Sequence, residues 1–524
     1  MAISWRERFT IFLLFFALGA VWMGVMPLWQ GPDEPAHFSY VQYLEYHSLP
    51  PTQAVVAPGK DPWQFSPSPA ELASINDTDR NAILSNPETP LVITLRERQQ
   101  ALSNVARISR EPGANSAGSQ NYVAIYPPLY YQPIAWLLRT LHVANVTAQA
   151  YGARLVTAVW LGIAGIVWDI IMSFAVRSAP VRLGLTLGIA LLVPTFQMLG
   201  GVICNDIAAD TASLAIFAAT LWALKRPERL ASGWAAVGYG VLAGLSIWTK
   251  EEAYIVLLAA IPFVIYQLWI AIPEIYQRVM WLFKASIPAV IIALPWFLLT
   301  WVRYHSLLPP LTYQGLGSDP RTLNWLIHSE LLNGSFERNL MIMQTTFGIN
   351  FPWWTPWHNA MAFYNALTGM WVILIGSGLI LGRRRQPWWL CVVLIVVGVF
   401  ILWVVEWQYN QTTGAGFLQG RYFFFLLGPV SWIAVQGLLR APGWVRSLLM
   451  SIGLGLTVAV LNHTLWRYYH ASLVSFLLGK VVMFTPNWVF LVSRVGMIIL
   501  LLSSLWFGLR MFKSVEKISA TDRQ

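Results

Sequence analysis

Charged residues are scarce in this sequence. Of its 524 residues, only 11% are Asp, Glu, Lys or Arg, whereas 56% are hydrophobic. A soluble globular domain contains about 25% charged residues, because its surface is in contact with water. The low charge and the mean hydropathy of +0.54 therefore exclude a soluble globular protein and indicate a chain whose surroundings are mostly lipid.

Cysteine is equally rare, since the chain has only Cys204 and Cys391. The first is expected at the outer end of one apolar segment and the second near the inner end of another. A disulfide needs Cα atoms within about 7 Å, so these two cysteines are not expected to pair. Both are predicted to be small buried hydrophobic residues.

Globular domains and repeats are missing as well. No soluble domain, and in particular no nucleotide-binding domain, is expected at either end of the chain. The sequence has no internal repeat, which argues against a transporter built from inverted repeats.

The sequence has an excess of basic residues, with 34 Lys and Arg against 24 Asp and Glu and a net charge of +10. They lie in short clusters between apolar runs, for example Arg177 with Arg182, or Arg383–Arg385. Every second gap carries such a cluster, as the positive-inside rule requires of cytoplasmic loops. The basic charge is therefore a signal of topology, and nucleic acid is not expected as a partner.

The apolar runs predict an all-α polytopic membrane protein with about twelve membrane-spanning helices, each close to the length that a bilayer requires. The runs are Phe9–Trp29, Ala153–Val176, Leu183–Ile203, Ile207–Leu224, Trp234–Thr249, Ala253–Ile272, Ser286–Val302, Met361–Leu381, Trp388–Trp407, Tyr422–Leu439, Leu448–Leu465 and Val489–Phe512. The first run is too long for a signal peptide and is predicted to be an uncleaved anchor. An even number of spans places both termini in the cytoplasm.

The predicted spans divide the chain into five regions. They are a first transmembrane helix at 1–30, a long extracytoplasmic loop with two interfacial helices at 31–149, transmembrane helices 2–7 at 150–303, a second extracytoplasmic loop at 304–360, and transmembrane helices 8–12 with a short cytoplasmic tail at 361–524. Polar and proline-rich sequence is concentrated in the two loops, which indicates a functional site on the extracytoplasmic side.

The segment Gly31–Pro50 follows the first span directly and places Asp33 and Glu34 between two prolines at the membrane boundary. Prolines and acidic residues suit the first turn of a helix, and His37 lies one turn beyond Asp33. One interpretation is a capped, solvated helix in the interface. The other is that one of the two carboxylates is a general base, held where a membrane-bound and an aqueous substrate meet.

A second segment, Tyr126–His142, begins with two prolines and two further tyrosines, Tyr130 and Tyr131. The prolines favour an extended backbone, and the helix that follows is too short to span a membrane. Taken alone, this pattern is typical of an aromatic anchor at the interface. The sequence AYGARL at 150–155 then opens the next predicted span.

The order of these segments resembles the GT-C superfamily of membrane glycosyltransferases, which use polyprenyl-phosphate-linked sugars. The sequences PDEPAHF at 32–38 and QGRYFF at 419–424 are most similar to a bacterial family, DUF2142. The resemblance covers most of the chain. It implies a GT-C-like bundle in the bacterial cytoplasmic (inner) membrane, with its active site on the extracytoplasmic face.

The resemblance also implies a mechanism. In such enzymes an acidic residue of the first outer loop deprotonates the acceptor hydroxyl, which attacks the anomeric carbon with inversion and displaces polyprenyl phosphate. Asp33 is the matching residue, and Glu34 is its neighbour. The partners implied are a lipid-linked sugar donor and a glycan, lipid or protein acceptor.

A departing phosphate needs cationic partners, and the candidates are Lys250, Arg421 and Arg303, all at the outer ends of predicted spans. Each has a simpler interpretation. Lys250 could pair with one of the two glutamates that follow it, and the arginines could extend to lipid headgroups. Relatives that transfer aminoarabinose often have a lysine before the PPL motif, where this chain has Tyr126, so other cations must hold the phosphate.

Several residues are expected to line the substrate cavity. They are His37, Tyr126, Tyr130, Tyr131, Asn205, Asp206 and Tyr422. Family members often have polar residues at the position of Asn205 and Asp206, where they would bind sugar or a cation. Helix capping explains Asp206 equally well.

No complete set of metal ligands is visible. Asp77 and Asp79 form a D-x-D pattern, but that motif binds metal within an α/β domain that is not expected here, so a solvated loop is predicted. Asp33, Glu34 and His37 could hold a divalent cation, but they do not form a complete ligand set. No metal site is predicted, no cofactor is certain, and a divalent cation is left open.

Two other functions are compatible with these features. A transporter or flippase of lipid-linked saccharides would need polar residues deep within several spans, and the sequence has few, with Asp169 near an inner end. A ligase or polymerase of preassembled lipid-linked glycans would share the chemistry of the outer face. A transferase of single sugars is the leading hypothesis.

Overall fold

The computed structural model describes residues 3–52, 64–81, 90–307, 309, 361–382, 387–413 and 419–513. Within these ranges the chain is helical, with two isolated bridges in the first loop and no β-strand. The prediction of an all-α protein is confirmed for this part of the chain. Most of the predicted second loop, 304–360, lies outside the described residues.

The helices are named here in chain order. They are α1 (Trp5–Val25), α2 (Glu34–Tyr46), α3 (Pro69–Asp77), α4 (Leu95–Ile108), α5 (Tyr131–Leu141), α6 (Val146–Ser173), α7 (Ala179–Leu191), α8 (Pro194–Leu199), α9 (Asp206–Lys225), α10 (Pro227–Leu230), α11 (Gly233–Ile247), α12 (Glu251–Ala271), α13 (Ile275–Tyr304), α14 (Met361–Gly382), α15 (Trp388–Thr413), α16 (Leu427–Leu438), α17 (Gly443–Tyr469), α18 (Leu473–Leu477) and α19 (Asn487–Lys513), with 3-10 segments at Tyr122–Ile125 and Gly420–Leu426.

Eight of these helices are long and apolar enough to cross a membrane by length and composition: α1, α6, α9, α12, α13, α15, α17 and α19. Shorter apolar segments lie in α7, α11 and α14. A membrane protein with several apolar helices is thereby confirmed among the described residues. The count of about twelve spans stays a prediction.

The predicted span Leu183–Ile203 is not one continuous helix. α7 ends before Pro194, where the six-residue α8 begins, because proline disfavours the helical conformation in the residue before it. Gly201 then passes the backbone of α1 so closely that a Cβ on it would lie 2.7 Å from the carbonyl oxygen of Gly19. This contact places the segment before α9 against α1.

The centre and the periphery of the bundle differ in what their side chains contact. α1 is central and packs against α6, α8 and α19, and α9 packs against α6 and α12. α13 is peripheral, since it packs against α11 and exposes Val290, Ile291 and Leu298. An exposed apolar surface of this kind suits contact with lipid.

The first loop is folded onto one end of the bundle. α2 contacts α3, α5 and the 3-10 segment Tyr122–Ile125. Phe38, Val41 and Leu44 on α2 are fully buried, but so is the polar Gln42. α2 is therefore not a solvated helix, because neighbouring loop elements pack around it. The short helix predicted after Tyr126 is confirmed as α5, which has 11 residues.

The two cysteines do not form a disulfide in the structure. Cys204 lies in the segment before α9 and Cys391 lies in α15. Both are free thiols with fully buried side chains. The sequence prediction is confirmed at both positions.

Candidate functional site

Four charged side chains from distant parts of the chain meet where α2, α9 and α12 begin. They are Asp33, Asp206, Lys250 and Arg421, called here the charge cluster. Each was a candidate from the sequence alone. The structure joins them in one continuous series of ion pairs.

Asp33 immediately precedes α2 and has a φ of 52°, in the left-handed region. Its side chain does not cap the helix. Its Oδ1 accepts a hydrogen bond from the Tyr122 hydroxyl at 2.9 Å, and its Oδ2 lies 3.5 Å from Nη2 of Arg421. Such a backbone conformation persists only where the surroundings enforce it. With 37% of its side chain exposed, Asp33 is the most accessible member of the charge cluster.

Arg421 lies in the 3-10 segment Gly420–Leu426 and links two carboxylates. Its Nη1 donates to Oδ2 of Asp206 at 3.2 Å, and its Nη2 faces Asp33. Its Nε donates to the side-chain oxygen of Gln419 at 2.9 Å, which orients the guanidinium plane. Only 6% of the Arg421 side chain is exposed, so its charge is fixed in a largely desolvated position.

Lys250 immediately precedes α12 and has two acidic partners. Its Nζ lies 2.7 Å from Oδ1 of Asp206 and 2.7 Å from Oε1 of Glu252. The rings of Tyr126 and Tyr422 lie 5.1 Å and 5.2 Å from Nζ, within the range of cation–π interactions. The simpler interpretation from the sequence, pairing with a following glutamate, is therefore confirmed for Glu252, but Asp206 is a second partner.

Asp206 is the first residue of α9 and bridges the two cations. One of its carboxylate oxygens contacts Lys250 and the other contacts Arg421. Helix capping, the alternative that the sequence left open, does not describe this arrangement. The carboxylate instead holds both cations side by side.

His37 lies in α2 next to the charge cluster. Its Nδ1 is 2.7 Å from the hydroxyl of Tyr131, and its ring stacks with those of Tyr126 and Tyr131. Burial lowers the pKa of His37 to about 4, although the carboxylates of Asp33 and Asp206 act in the opposite direction. The imidazole is therefore neutral at pH 7 and adds no positive charge to the site.

Glu34, the neighbour of Asp33, belongs to a different ion pair. Its two carboxylate oxygens accept hydrogen bonds of 2.7 Å each from Nε and Nη2 of Arg154. Both side chains are completely buried. Glu34 and Arg154 are called here the clamp. Because the clamp has no exposed side-chain surface, Glu34 has no access to a substrate in this arrangement, in contrast to its predicted catalytic position.

Sequence reasoning did not identify Arg154 as a functional candidate. The available signal was its position just inside a predicted span, since a charged residue within a membrane segment requires a partner. Its partner could not be deduced, because Glu34 lies 120 residues earlier in the chain.

Arg303 does not contact the charge cluster through its hydrogen bonds. Its Nη1 and Nη2 donate to the backbone carbonyl oxygens of Pro51 and Pro50 at 2.9 Å and 2.8 Å. These bonds hold the segment after α2 to the end of α13. The structure thus gives this candidate phosphate ligand a role in anchoring the first loop.

Tyr130 and Tyr131 are buried rather than exposed to a cavity. The Tyr130 hydroxyl lies 2.6 Å from Oγ1 of Thr157 and accepts a hydrogen bond from the backbone N–H of Cys204 at 3.0 Å. The Tyr131 hydroxyl forms a hydrogen bond with Nδ1 of His37. Tyr130 therefore holds the segment before α9 in place, and Tyr131 holds His37 of α2.

Asn205 is a buried polar residue that immediately precedes Asp206 in the chain. Only 1% of it is exposed, and neither its Nδ2 nor its Oδ1 has a hydrogen-bond partner among the described residues. Oδ2 of Asp210 likewise is buried and has no hydrogen-bond partner among the described residues. Buried polar atoms in native structures are rarely left unpaired, so these atoms are candidate contacts for a polar ligand.

Within the described part of the chain, no group of three or more His, Cys, Asp or Glu side chains is placed so that it could hold a metal ion. In the D-x-D pattern, Asp77 accepts a hydrogen bond of 2.7 Å from the amide of Asn104. Asp79 has a φ of 54° just beyond α3. The two aspartates thus belong to the local structure of the first loop.

The charge cluster combines two functions that a single site needs for group transfer to a hydroxyl. The partly exposed carboxylate of Asp33 can accept a proton. The largely buried cations Arg421 and Lys250 can hold an anion more strongly than surface residues do, because water screens them less. The cluster is therefore suited to a reaction that takes up a proton and releases an anionic group.

Comparison with known proteins identifies the family of the chain. No curated protein matches the sequence. The family model described as "Predicted membrane protein (DUF2142)" matches residues 15–428, from α1 to the start of α16, and this range contains the whole charge cluster and the clamp. The resemblance to DUF2142 in the sequence motifs is thereby confirmed, and the chain belongs to the DUF2142 family of predicted membrane proteins.

Proposed function

We propose that this protein is a membrane glycosyltransferase, which moves a sugar from a polyprenyl-phosphate-linked donor to a glycan, lipid or protein acceptor. The observation that carries the proposal is the charge cluster. In it an accessible carboxylate, that of Asp33, contacts Arg421, and Asp206 links Arg421 to Lys250; both cations are largely buried. This combination pairs a proton acceptor with ligands for a departing phosphate.

The architecture proposed with this function is a GT-C-like bundle of about twelve transmembrane helices in the bacterial cytoplasmic membrane. Both termini are in the cytoplasm, the charge cluster is on the extracytoplasmic face, and α2 and α5 lie near the interface. The order α1, α2, long loop, α5 and α6 supports this likeness. Nucleotide sugars are cytoplasmic, so transfer on the outer face requires a lipid-linked donor.

Asp33 is the general base of the proposed reaction. Its carboxylate takes the proton of the acceptor hydroxyl while the hydroxyl oxygen bonds to the anomeric carbon. The bond from that carbon to the phosphate oxygen breaks, the configuration inverts, and polyprenyl phosphate leaves with the bonding electrons. Tyr122 donates to Oδ1 of Asp33 and so orients the carboxylate for this step.

Lys250 and Arg421 are the proposed ligands of the phosphate. Asp206 holds both of them in place before the donor binds. Arg421 contacts Asp33, whereas Lys250 lies one ion pair further away. We therefore place the phosphate towards Lys250 and the sugar towards Asp33, since inversion requires the base and the leaving group on opposite sides of the anomeric carbon.

The test compares wild type with Asp33→Asn, each reconstituted in liposomes with polyprenyl-phosphate sugars and a crude acceptor extract. Mass spectrometry follows the release of polyprenyl phosphate. We expect turnover to fall by about 10²–10⁴-fold, because asparagine cannot accept the proton. Asp77→Asn is the matched control, since Asp77 is bonded within the first loop, and it should turn over like wild type.

Two results would contradict the proposal. Undiminished turnover in Asp33→Asn would remove Asp33 from the mechanism. A wild-type protein that consumes no donor, yet moves lipid-linked saccharide between leaflets, would replace transfer by transport. A product that carries a preassembled glycan rather than a single sugar would identify a ligase or polymerase that uses the same site.

A further inference from the structure

The turn between α1 and α2 is conformationally strained. Trp29 and Asp33 have φ values of 69° and 52°, in a region that non-glycine residues rarely adopt. Such residues persist only where several surrounding contacts enforce the conformation. Because Asp33 is the proposed base, the contacts that hold this turn also decide where its carboxylate lies.

Arg154 holds the end of α1. Its Nη1 donates to the carbonyl oxygens of Met23 and Met26 at 3.2 Å and 2.8 Å, and its Nη2 donates to that of Pro27 at 2.8 Å. The last carbonyl groups of a helix have no partner within the helix. The guanidinium supplies a partner for one of them, that of Met23, and binds two carbonyl groups just after the helix. With its remaining donors it binds both carboxylate oxygens of Glu34.

Glu34 extends this contact to two backbone segments. Its Oε2 accepts a hydrogen bond from the N–H of Gly31, and its Oε1 accepts one from the N–H of Ile203, each at 3.1 Å. Gly31 lies two residues before Asp33, and Ile203 lies three residues before Asp206. A single buried carboxylate thus fixes the backbones that carry both carboxylates of the charge cluster.

We propose that Glu34 and Arg154 are positioning residues, which set the distance between Asp33 and Asp206 and so align the base with the cations. This inference rests on the proposed function, since alignment affects a rate only if Asp33 reacts. Neither residue touches the substrate, because both side chains are fully buried. Their effect passes through the strained turn at Asp33 and the segment before α9.

A matched ion pair exists at the other end of α6. Arg182 contacts Asp169 at 2.9 Å and Glu7 at 3.2 Å, and its side chain is 5% exposed. Asp169 lies 15 residues beyond Arg154 in the same helix, which is about 22 Å along the axis. This pair is also buried and also joins α6 to its neighbours, but it has no contact with the charge cluster.

The experiment compares Arg154→Lys with Arg182→Lys in the donor-turnover assay. Lysine keeps the positive charge but lacks the planar fork that reaches both Glu34 oxygens and the α1 carbonyls together. We expect Arg154→Lys to lower kcat by about 10–10²-fold with little change in KM for the donor, because the phosphate ligands are intact. Arg182→Lys should leave kcat unchanged.

A second variant covers the case in which Arg154→Lys does not fold. Glu34→Asp keeps the charge and shortens the side chain by one methylene, so it disturbs the same contacts from the other side. It should lower kcat in the same way. Equal losses of kcat in Arg182→Lys and in the clamp variants, or no loss in either clamp variant, would overturn the inference.

A readout without turnover separates this inference from the proposed function. Both native cysteines are fully buried, so Asp33→Cys offers one reactive thiol to a charged thiol reagent. Its labelling rate should change several-fold when Arg154→Lys is added, and should not change when Arg182→Lys is added. An unchanged rate in both double variants would refute the positioning role even if wild type shows no transferase activity.

Discussion

The clamp and the charge cluster begin at adjacent residues and have opposite environments. Glu34 is completely buried, and its two oxygens accept four hydrogen bonds, two from Arg154 and two from backbone amides. Asp33 is 37% exposed, and its contact with Arg421 is a long 3.5 Å. A saturated buried ion pair resists exchange, whereas a loosely held carboxylate can accept a new partner. The difference favours a structural role for Glu34, and it leaves Asp33 as the proposed base.

The cations of the clamp and of the charge cluster also differ in how firmly they are held. The Arg154 guanidinium is wholly engaged by Glu34 and by the end of α1. Arg421 and Lys250 share the carboxylate of Asp206, and each has one further carboxylate partner, Asp33 for Arg421 and Glu252 for Lys250. An incoming phosphate could contact both without first breaking a bidentate pair. The cations of the charge cluster are therefore held by single-oxygen contacts, whereas that of the clamp is held by both oxygens of one carboxylate.

The largest expected effect comes from breaking the clamp. Arg154→Met leaves Glu34 buried without a countercharge, and we expect the free energy of unfolding to fall by about 3–5 kcal/mol. Thermal unfolding in detergent measures this loss. Arg96→Met, at an exposed position in α4, should unfold like wild type. Equal stability of Arg154→Met and wild type would show that the clamp does not hold α1 to α6.

Glu71 extends the comparison, because this buried acid has a hydroxyl rather than a cation as its hydrogen-bond partner. Oγ of Ser39 donates to Oε2 of Glu71 at 2.6 Å, and burial raises the pKa of Glu71 from 4.5 to about 8. The folded protein therefore binds more protons than the unfolded chain between these pH values. Its free energy of unfolding should fall as pH rises from 4.5 to 8.

Glu71→Gln tests this pH dependence. The variant cannot ionise, so it should lose less stability than wild type between pH 5 and pH 9, by on the order of a few kcal/mol. Melting temperatures across that range measure the difference. Parallel curves for the two proteins would show that Glu71 ionises freely in the folded state.

A smaller effect is expected at Lys250, which lies one ion pair further from Asp33 than Arg421 does. Lys250→Gln removes one charged ligand of the proposed phosphate, and we expect kcat/KM for the donor to fall by about 10–10²-fold, since a hydrogen bond to a charged group contributes about 1.5–3 kcal/mol. Asp206 keeps Arg421 as a partner, so the fold should persist. Lys284→Gln, at an exposed residue of α13, is the control, and turnover equal to it would exclude Lys250 from donor binding.

The smallest effect is expected at Arg303. Its guanidinium bonds to the carbonyl oxygens of Pro50 and Pro51, so Arg303→Gln should leave donor turnover close to that of wild type. Stability should fall by less than about 1 kcal/mol, because the lost contacts are partly solvated. A loss of turnover as large as that of Lys250→Gln would show that Arg303 also binds the phosphate.

Much of the fold was predictable because it depends on local sequence. The runs Phe9–Trp29 and Ala153–Val176 predict α1 and α6, since a helix of about 20 apolar residues satisfies its own backbone in lipid. The run Leu183–Ile203 is not one continuous helix, because Pro194 interrupts it. α2 also differed from its prediction, since its burial depends on α3, α5 and the 3-10 segment, which lie later in the chain.

The candidate site was predictable residue by residue but not as an arrangement. Asp33, Asp206, Lys250 and Arg421 all stood out as charged residues at the ends of apolar runs. Their pairing could not be read from the sequence, because Asp33 and Arg421 are 388 residues apart. Arg154 was missed for the same reason.

The sequence by itself determined that this chain is a membrane protein of the DUF2142 family, where its long apolar helices lie, and which charged residues stand at their ends. Only the tertiary structure decided which of the two adjacent carboxylates, Asp33 or Glu34, is buried in a complete ion pair and which is accessible. Hydropathy and helix formation are sums over about 20 neighbouring residues. An ion pair instead requires two particular atoms within about 4 Å, and that proximity is created by packing between distant segments.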